Sequence, residues 1–119
     1  MRFDLDDLNP GRWFPFDPSN PDGDGICLRV VPTVELRRMQ TDCTIKGKGI
    51  DQPKFDAALW EYCIVDWRGV QDASGSEIEC NAENKSILMG GAPDFSDFVT
   101  VCLDKIRESK LSGRELEKN

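Results

Sequence analysis

The sequence predicts an α+β fold in which small antiparallel β-hairpins pack against three to four short α-helices in a single domain. Short runs rich in aromatic and β-branched residues alternate with turns rich in Pro, Gly, Asp and Asn, which is the pattern of hairpins. Other segments repeat apolar residues at intervals of three and four, the period of an amphipathic helix. A chain of 119 residues is sufficient for one hydrophobic core.

The chain divides by composition into three parts. Residues 1–11 are acidic and show little apolar periodicity, so we predict a flexible N-terminal lead-in. Residues 12–108 hold the strand and helix patterns and are predicted to form the domain. Residues 109–119 are charged and weakly patterned, which predicts a C-terminal tail or a frayed helix end.

Charge and histidine content restrict the function classes. The chain has 22 acidic and 15 basic residues and a net charge of -7, so no nucleic-acid partner is expected. Histidine is absent, which excludes Ser-His and Cys-His catalytic pairs. No apolar run approaches the ~20 residues of a membrane span, and the acidic start lacks an apolar signal core. We therefore expect a cytoplasmic protein without a membrane partner.

The first hairpin is predicted from its aromatic and loop residues. Trp13–Phe16 reads as a strand, and Pro15 favours the edge of the sheet because proline has no N–H to donate. Asp17–Gly25 is a loop by composition, and Ile26–Val31 is the returning strand.

The acidic loop between these strands has one feature of a calcium site. Asn20, Asp22 and Asp24 place oxygens at positions 1, 3 and 5 of a calcium loop, and Gly25 occupies position 6. Position 12 would be Val31, where a bidentate glutamate is required. The pattern therefore favours an ordinary acidic hairpin loop over an ion site.

Two helices are predicted in the middle of the chain. Thr33 is predicted to cap a helix that runs from Val34 to about Cys43, followed by a connection over 44–50. Asp51 is the predicted N-cap of the second helix. One apolar face of this helix follows the helical period: Phe55, Ala58, Leu59, Tyr62 and Cys63.

A second hairpin and two more helices complete the prediction. Ile64–Trp67 is extended, 72–75 is a turn, and 76–80 returns as a strand. Asn81 is predicted to cap a helix over 82–89 that ends at the following glycines. Within it, Asn84, Lys85 and Ser86 are interpreted as helix surface. The last helix begins at Pro93, and its apolar face comprises Phe95, Phe98, Val99, Cys102 and Ile106.

The five cysteines are widely spaced along the chain: Cys27, Cys43, Cys63, Cys80 and Cys102. A zinc site would normally show closely spaced Cys or His, and a disulfide framework usually has an even number. We expect reduced, buried thiols that pack as small hydrophobic side chains. No catalytic residue, metal site or cofactor is predicted, and a thiol- or carboxylate-based enzyme is the less favoured alternative.

The aromatic strand is the strongest sign of a binding surface. Trp13, Phe14 and Phe16 form a stretch too aromatic for both faces to be buried in so small a sheet, and exposed aromatics mark partner contacts. The alternative, that all three belong to the core, stays open.

Residues 13–107 resemble small proteins encoded in the tail-morphogenesis region of bacterial prophages, including phage tail assembly chaperones. The resemblance rests on the aromatic hairpin from Trp13, on a W-x-G-V-x-D-x-x-G pattern that begins at Trp67, and on Glu83-Asn84 before the last helix. The connection over 44–50 is shorter than the resemblance leads us to expect.

The resemblance implies a non-enzymatic tail assembly factor in the bacterial host cytoplasm. Such a chaperone or adaptor would bind a tape-measure or tail-tube protein, and the alternative is a structural tail or connector subunit of a phage virion. Homo-oligomerisation stays open. The candidate partner-binding residues lie in the aromatic strand and on the outer side of the last helix: Trp13, Phe14, Phe16, Ile106 and Leu111.

Overall fold

The computed structural model describes the backbone of residues 1–117 and the side chains of residues 1–109. The residues that the structure describes fold as one α+β domain with four helices and small antiparallel sheets, which confirms the predicted class. In chain order the elements are β1 (Arg12–Pro15), β2 (Gly25–Leu28), α1 (Thr33–Asp42), β3 (Thr44–Ile45), β4 (Gly49–Ile50), α2 (Gln52–Cys63), β5 (Ile64–Arg68), α3 (Ala82–Gly91) and α4 (Pro93–Glu117).

The main sheet has three antiparallel strands in the order β1-β2-β5. β1 lies at the edge, as Pro15 predicts, and pairs with β2 as a hairpin. β2 is shorter than predicted and ends at Leu28, where its register with β5 shifts. The chain beyond it is held differently, because the Arg29 N–H donates to the carbonyl of Cys63 at 2.9 Å.

The hydrophobic core lies between one face of this sheet and α4. The predicted apolar face of α4 is confirmed, since Val99, Cys102 and Ile106 are buried and Phe95 and Phe98 pack half-buried against them. The buried sheet residues of the same cluster are Phe14, Ile26, Leu28, Ile64 and Trp67. Burial of such side chains contributes roughly 1.5–3 kcal/mol each relative to exposure, so this layer determines where α4 sits.

The helix starts partly match the prediction. Asp51 caps α2 by accepting from the Lys54 N–H at 3.3 Å, and Asn81 caps α3 by accepting from the Asn84 N–H at 2.9 Å. Thr33 does not cap α1. Pro32 occupies the N-cap without a side-chain hydrogen bond, and Thr33 is already inside the helix.

One connection and one helix end differ from the sequence interpretation. The connection over 44–50 contains a minimal hairpin, β3–β4, in which Gly47 and Gly49 adopt φ of +80° and +81°. α3 does not end before its glycines. Gly90 and Gly91 keep negative φ and are the last two residues of the helix, with Ala92 as its C-cap.

The predicted second hairpin is reduced to a turn and one bridge. Asp72 forms the expected turn, because its Oδ1 accepts from the N–H groups of Ser74 and Ser76 at 2.9 and 3.0 Å. The return over 76–80 is not a strand, and only Gln71 and Glu77 form a β-bridge.

The predicted division at residue 108 does not coincide with a helix end, because α4 continues through residue 109 to Glu117. Residues 1–11 contain neither helix nor strand. Asn9 nevertheless ties this segment to the domain, since its Nδ2 donates to the carbonyl of Val30 at 2.9 Å.

Candidate protein-binding surface

The two faces of the main sheet differ in exposure. The strand pairing places Trp13 beside Cys27 and Cys27 beside Asp66, and these three residues share the face opposite to the core. We name this face, which also carries Pro15 and Arg68, the outer sheet face. Trp13, Asp66 and Arg68 are exposed on it, whereas Cys27 is buried.

Trp13 and Arg68 form a preformed aromatic–cation pair on the outer sheet face. The Arg68 guanidinium lies 4.2 Å from the centre of the Trp13 ring, although the two residues belong to the two outer strands of the sheet. Trp13 keeps 41% of its surface exposed. Tryptophan and arginine are enriched among the residues that dominate protein–protein binding energy, so this pair fits a partner contact.

Each edge of the main sheet has one backbone position that cannot donate to a further strand. In β1 the Phe16 N–H donates to Asp24 in the hairpin, so the neighbouring nitrogen of Pro15, which carries no proton, faces outward. In β5 the N–H of Trp67 is occupied by the Asp66 carboxylate at 2.8 Å. A partner therefore meets the outer sheet face more readily than the strand edges.

Two of the predicted contact residues are in the core. Phe14 is 6% exposed and Ile106 is 9% exposed, so the expectation that they face a partner is corrected. The period of the strand turns Phe14 inward, and the period of α4 places Ile106 one turn beyond Cys102 on the buried stripe. Phe16 is half-buried and packs on Phe98 with ring centres 5.5 Å apart. The side chain of Leu111 lies outside the described residues.

The cysteines match the prediction of free thiols packed in the interior. All five are free, and four are buried while Cys80 is half-buried. Burial raises the pKa of the Cys63 thiol from its ordinary value of 9.0 to about 11. Burial likewise raises the pKa of Cys27, Cys80 and Cys102. These thiols are protonated at neutral pH, the form in which cysteine is a weak nucleophile.

Lys85 is the main side chain that the sequence interpretation misplaced. It was expected on the surface of α3, but only 5% of it is exposed. Its ammonium donates to the backbone carbonyl of Glu61 at 3.3 Å and lies 3.1 Å from the Glu61 carboxylate. α2 has no basic residue in its own last turn, so Lys85 supplies the positive charge that favours a helix C-terminus.

Arg29 joins three parts of the chain just beyond β2. Its guanidinium stacks 3.8 Å from the centre of the Tyr62 ring, and its Nε donates to the Tyr62 carbonyl at 2.8 Å. Its Nη1 also donates to the carbonyl of Asn9 at 3.4 Å. A lone arginine after an apolar strand is the only sequence signal for this role.

A groove opens beside Arg29, between α2 and α4. We name it the α2–α4 groove; its volume is ≈ 230 Å³. Leu59, Trp60 and Leu103 contribute apolar walls, and Arg29 and Arg107 contribute positive charge. The volume is below the roughly 300–1,000 Å³ typical of small-molecule sites, so it suits individual side chains.

No protein-family model matches the chain, and no curated protein or solved structure matches it either. Within the part of the chain that the structure describes, no helix combines the length and the apolar content needed to cross a bilayer. Among the same residues, no three His, Cys, Asp or Glu side chains form a group that could hold a metal ion.

Proposed function

We propose that this protein is a non-enzymatic phage tail assembly factor, a chaperone or adaptor that binds a tape-measure or tail-tube protein in the bacterial cytoplasm. The observation that carries the proposal is the exposed Trp13–Arg68 pair on the outer sheet face. The resemblance of residues 13–107 to tail assembly chaperones supplies the class of partner.

The chemistry of this face suits reversible binding to an apolar segment. Trp13 offers a flat apolar surface, and Arg68 holds the ring in place while it keeps further N–H donors for a carboxylate or carbonyl. Val65, on the same strand as Arg68, is 39% exposed and adds apolar area. The net charge of -7 favours solubility of this protein, which a chaperone for an apolar client requires.

Co-expression with a tape-measure fragment tests the proposal. The wild-type protein should keep the fragment soluble, and Trp13→Ala should weaken binding by about 30-fold or more, the effect of losing a dominant interface residue. The matched control is Ile45→Ala, because Ile45 has similar exposure (44%) but lies on the small β3–β4 hairpin.

Three outcomes decide between the functions. The proposal is supported if the fragment precipitates with the Trp13→Ala variant but stays soluble with the Ile45→Ala control. Equal precipitation of the fragment with and without the wild-type protein rejects the chaperone function. Ordered rings or tubes in electron micrographs, without fragment binding, would instead assign the protein as a structural tail or connector subunit.

A further inference from the structure

The segment Met1–Leu8, which we name the arm, exposes most of its apolar side chains. Met1 is 97% exposed, Phe3 69% and Leu5 83%. Leu5 and Leu8 line a shallow cleft beside Pro32 and Val34, yet Leu8 is still 66% exposed. The chain's own fold therefore leaves this apolar surface in water, where it favours burial against another surface.

The charge pattern of the arm is complementary to the α2–α4 groove. Apolar residues in the arm are interleaved with Asp4, Asp6 and Asp7. Arg29 and Arg107 line the groove together with its apolar walls. Arginine has five N–H donors, so the contact of Arg107 with Asp104 at 3.1 Å leaves donors for an incoming carboxylate.

We propose that the arm of one copy docks in the α2–α4 groove of a second copy, so that two chains exchange arms reciprocally. Phe3 or Leu5 occupies the apolar part of the groove, and the aspartates of the arm face Arg29 and Arg107. Eight extended residues span at most about 26–29 Å, sufficient to cross from one domain to its neighbour. If each of two copies places its arm in the groove of the other, the exchange closes as a two-fold dimer, whereas one-way docking would continue into a chain of copies.

The inference goes beyond the proposed tail function and does not depend on it. Tape-measure binding is assigned to the outer sheet face, whereas arm exchange uses α2, α4 and the first eight residues. Either function can fail while the other holds, and separate variants test them.

Sedimentation of the full-length protein over a range of concentrations tests the exchange. Wild type should show a concentration-dependent monomer–dimer equilibrium, and Arg107→Glu should weaken it at least tenfold by placing like charges together. The pair Asp4→Lys with Asp6→Lys should weaken it similarly, and combining both changes should restore much of the loss. Arg37→Glu is the control, because Arg37 is exposed on α1 and does not line the groove.

An NMR experiment on a mixture of labelled and unlabelled chains distinguishes arm exchange between two chains from docking of the arm within its own chain. The labelled chain carries Phe3→Ser and Leu5→Ser, which change exposed side chains and leave its groove intact. Adding unlabelled wild type should shift the Trp60 indole resonance of the labelled chain. A wild-type monomer at all concentrations, no indole shift in the mixture, or equal weakening by Arg37→Glu and Arg107→Glu would each overturn the proposal.

Discussion

The two faces of the three-stranded sheet are built from the same short strands, yet they carry opposite kinds of surface. Phe14 turns inward and is 6% exposed, whereas its neighbour Trp13 turns outward and is 41% exposed. The inner face joins α4 in a core of apolar side chains, and the outer face holds an aromatic ring under a guanidinium. Phe14 therefore belongs to the core, whereas its neighbour Trp13 is the residue that we propose for recognition.

The largest expected effect comes from breaking the inner face. Phe14→Ala should lower the free energy of unfolding by about 3–5 kcal/mol, because it removes a buried ring and leaves a cavity against α4. Trp13→Ala is the matched change on the outer face and should cost less than about 1 kcal/mol. Urea unfolding measures both, and similar losses for the two variants would contradict the division of roles.

The free energy of unfolding, measured as a function of pH, tests the role of the buried Cys63 thiol in the core. The pKa of Cys63 is raised from 9.0 to about 11, so the folded state favours the neutral thiol. This contribution, about 2–3 kcal/mol, is fully present below pH 9 and is lost as the pH rises towards 11. Cys63→Ala should have a flatter stability profile over that range, while Trp13→Ala should keep the wild-type slope. Parallel profiles for wild type and Cys63→Ala would reject this role of the thiol.

Two lysines extend the comparison of buried and exposed positions to the helices. The ammonium groups of Lys85 and Lys54 each donate to a backbone carbonyl at 3.3 Å, but Lys85 is buried and Lys54 is exposed. Lys85→Ala should cost about 2 kcal/mol by thermal unfolding, and Lys54→Ala less than about 0.5 kcal/mol.

A third variant distinguishes the stability that Lys85 gains from packing of its apolar stem from the stability that it gains from its charged contact. Lys85→Met keeps the apolar stem and removes the charge, so it should recover much of the loss if packing dominates. A Met variant as unstable as the Ala variant would show that the contact with the C-terminal turn of α2 dominates instead.

The smallest expected effect is the coupling energy between Trp13 and Arg68 on the outer sheet face. A double-mutant cycle with Trp13→Ala and Arg68→Ala should give a coupling energy of about 0.5–1 kcal/mol, the usual value for an exposed cation–π pair. Additive losses would mean that the ring and the guanidinium do not interact in solution. The same cycle measured on partner binding would then show whether the pair acts as a unit in recognition.

The parts of the fold set by local chemistry were predictable from sequence. The caps at Asp51 and Asn81, the turn at Asp72 and the apolar stripe of α4 depend on neighbouring residues, and all four are confirmed. The edge position of β1 follows from the missing N–H of Pro15 in the same way.

The misplaced cap at Thr33 and the predicted end of α3 at its glycines were errors about local structure. The other missed features depend on distant residues. Lys85 is buried by α2, which lies more than twenty positions earlier, and its sequence neighbours give no sign of this. The Trp13–Arg68 pair requires the order of all three strands, which a single sequence does not reveal. The prediction also assigned Ile106 to both the buried stripe and a partner contact, and only the packed structure separates the two roles.

The borders of the main sheet affect how the protein behaves when it is crowded. Pro15 offers no proton on one border, and on the other the Asp66 carboxylate already occupies the Trp67 amide. Fibrils grow when identical chains add backbone ladders to such borders, and each border here has one position that hinders this addition. At high concentration we therefore expect the protein molecules to associate through their side-chain surfaces and not through strand edges. Such association should reverse on dilution and should not nucleate amyloid.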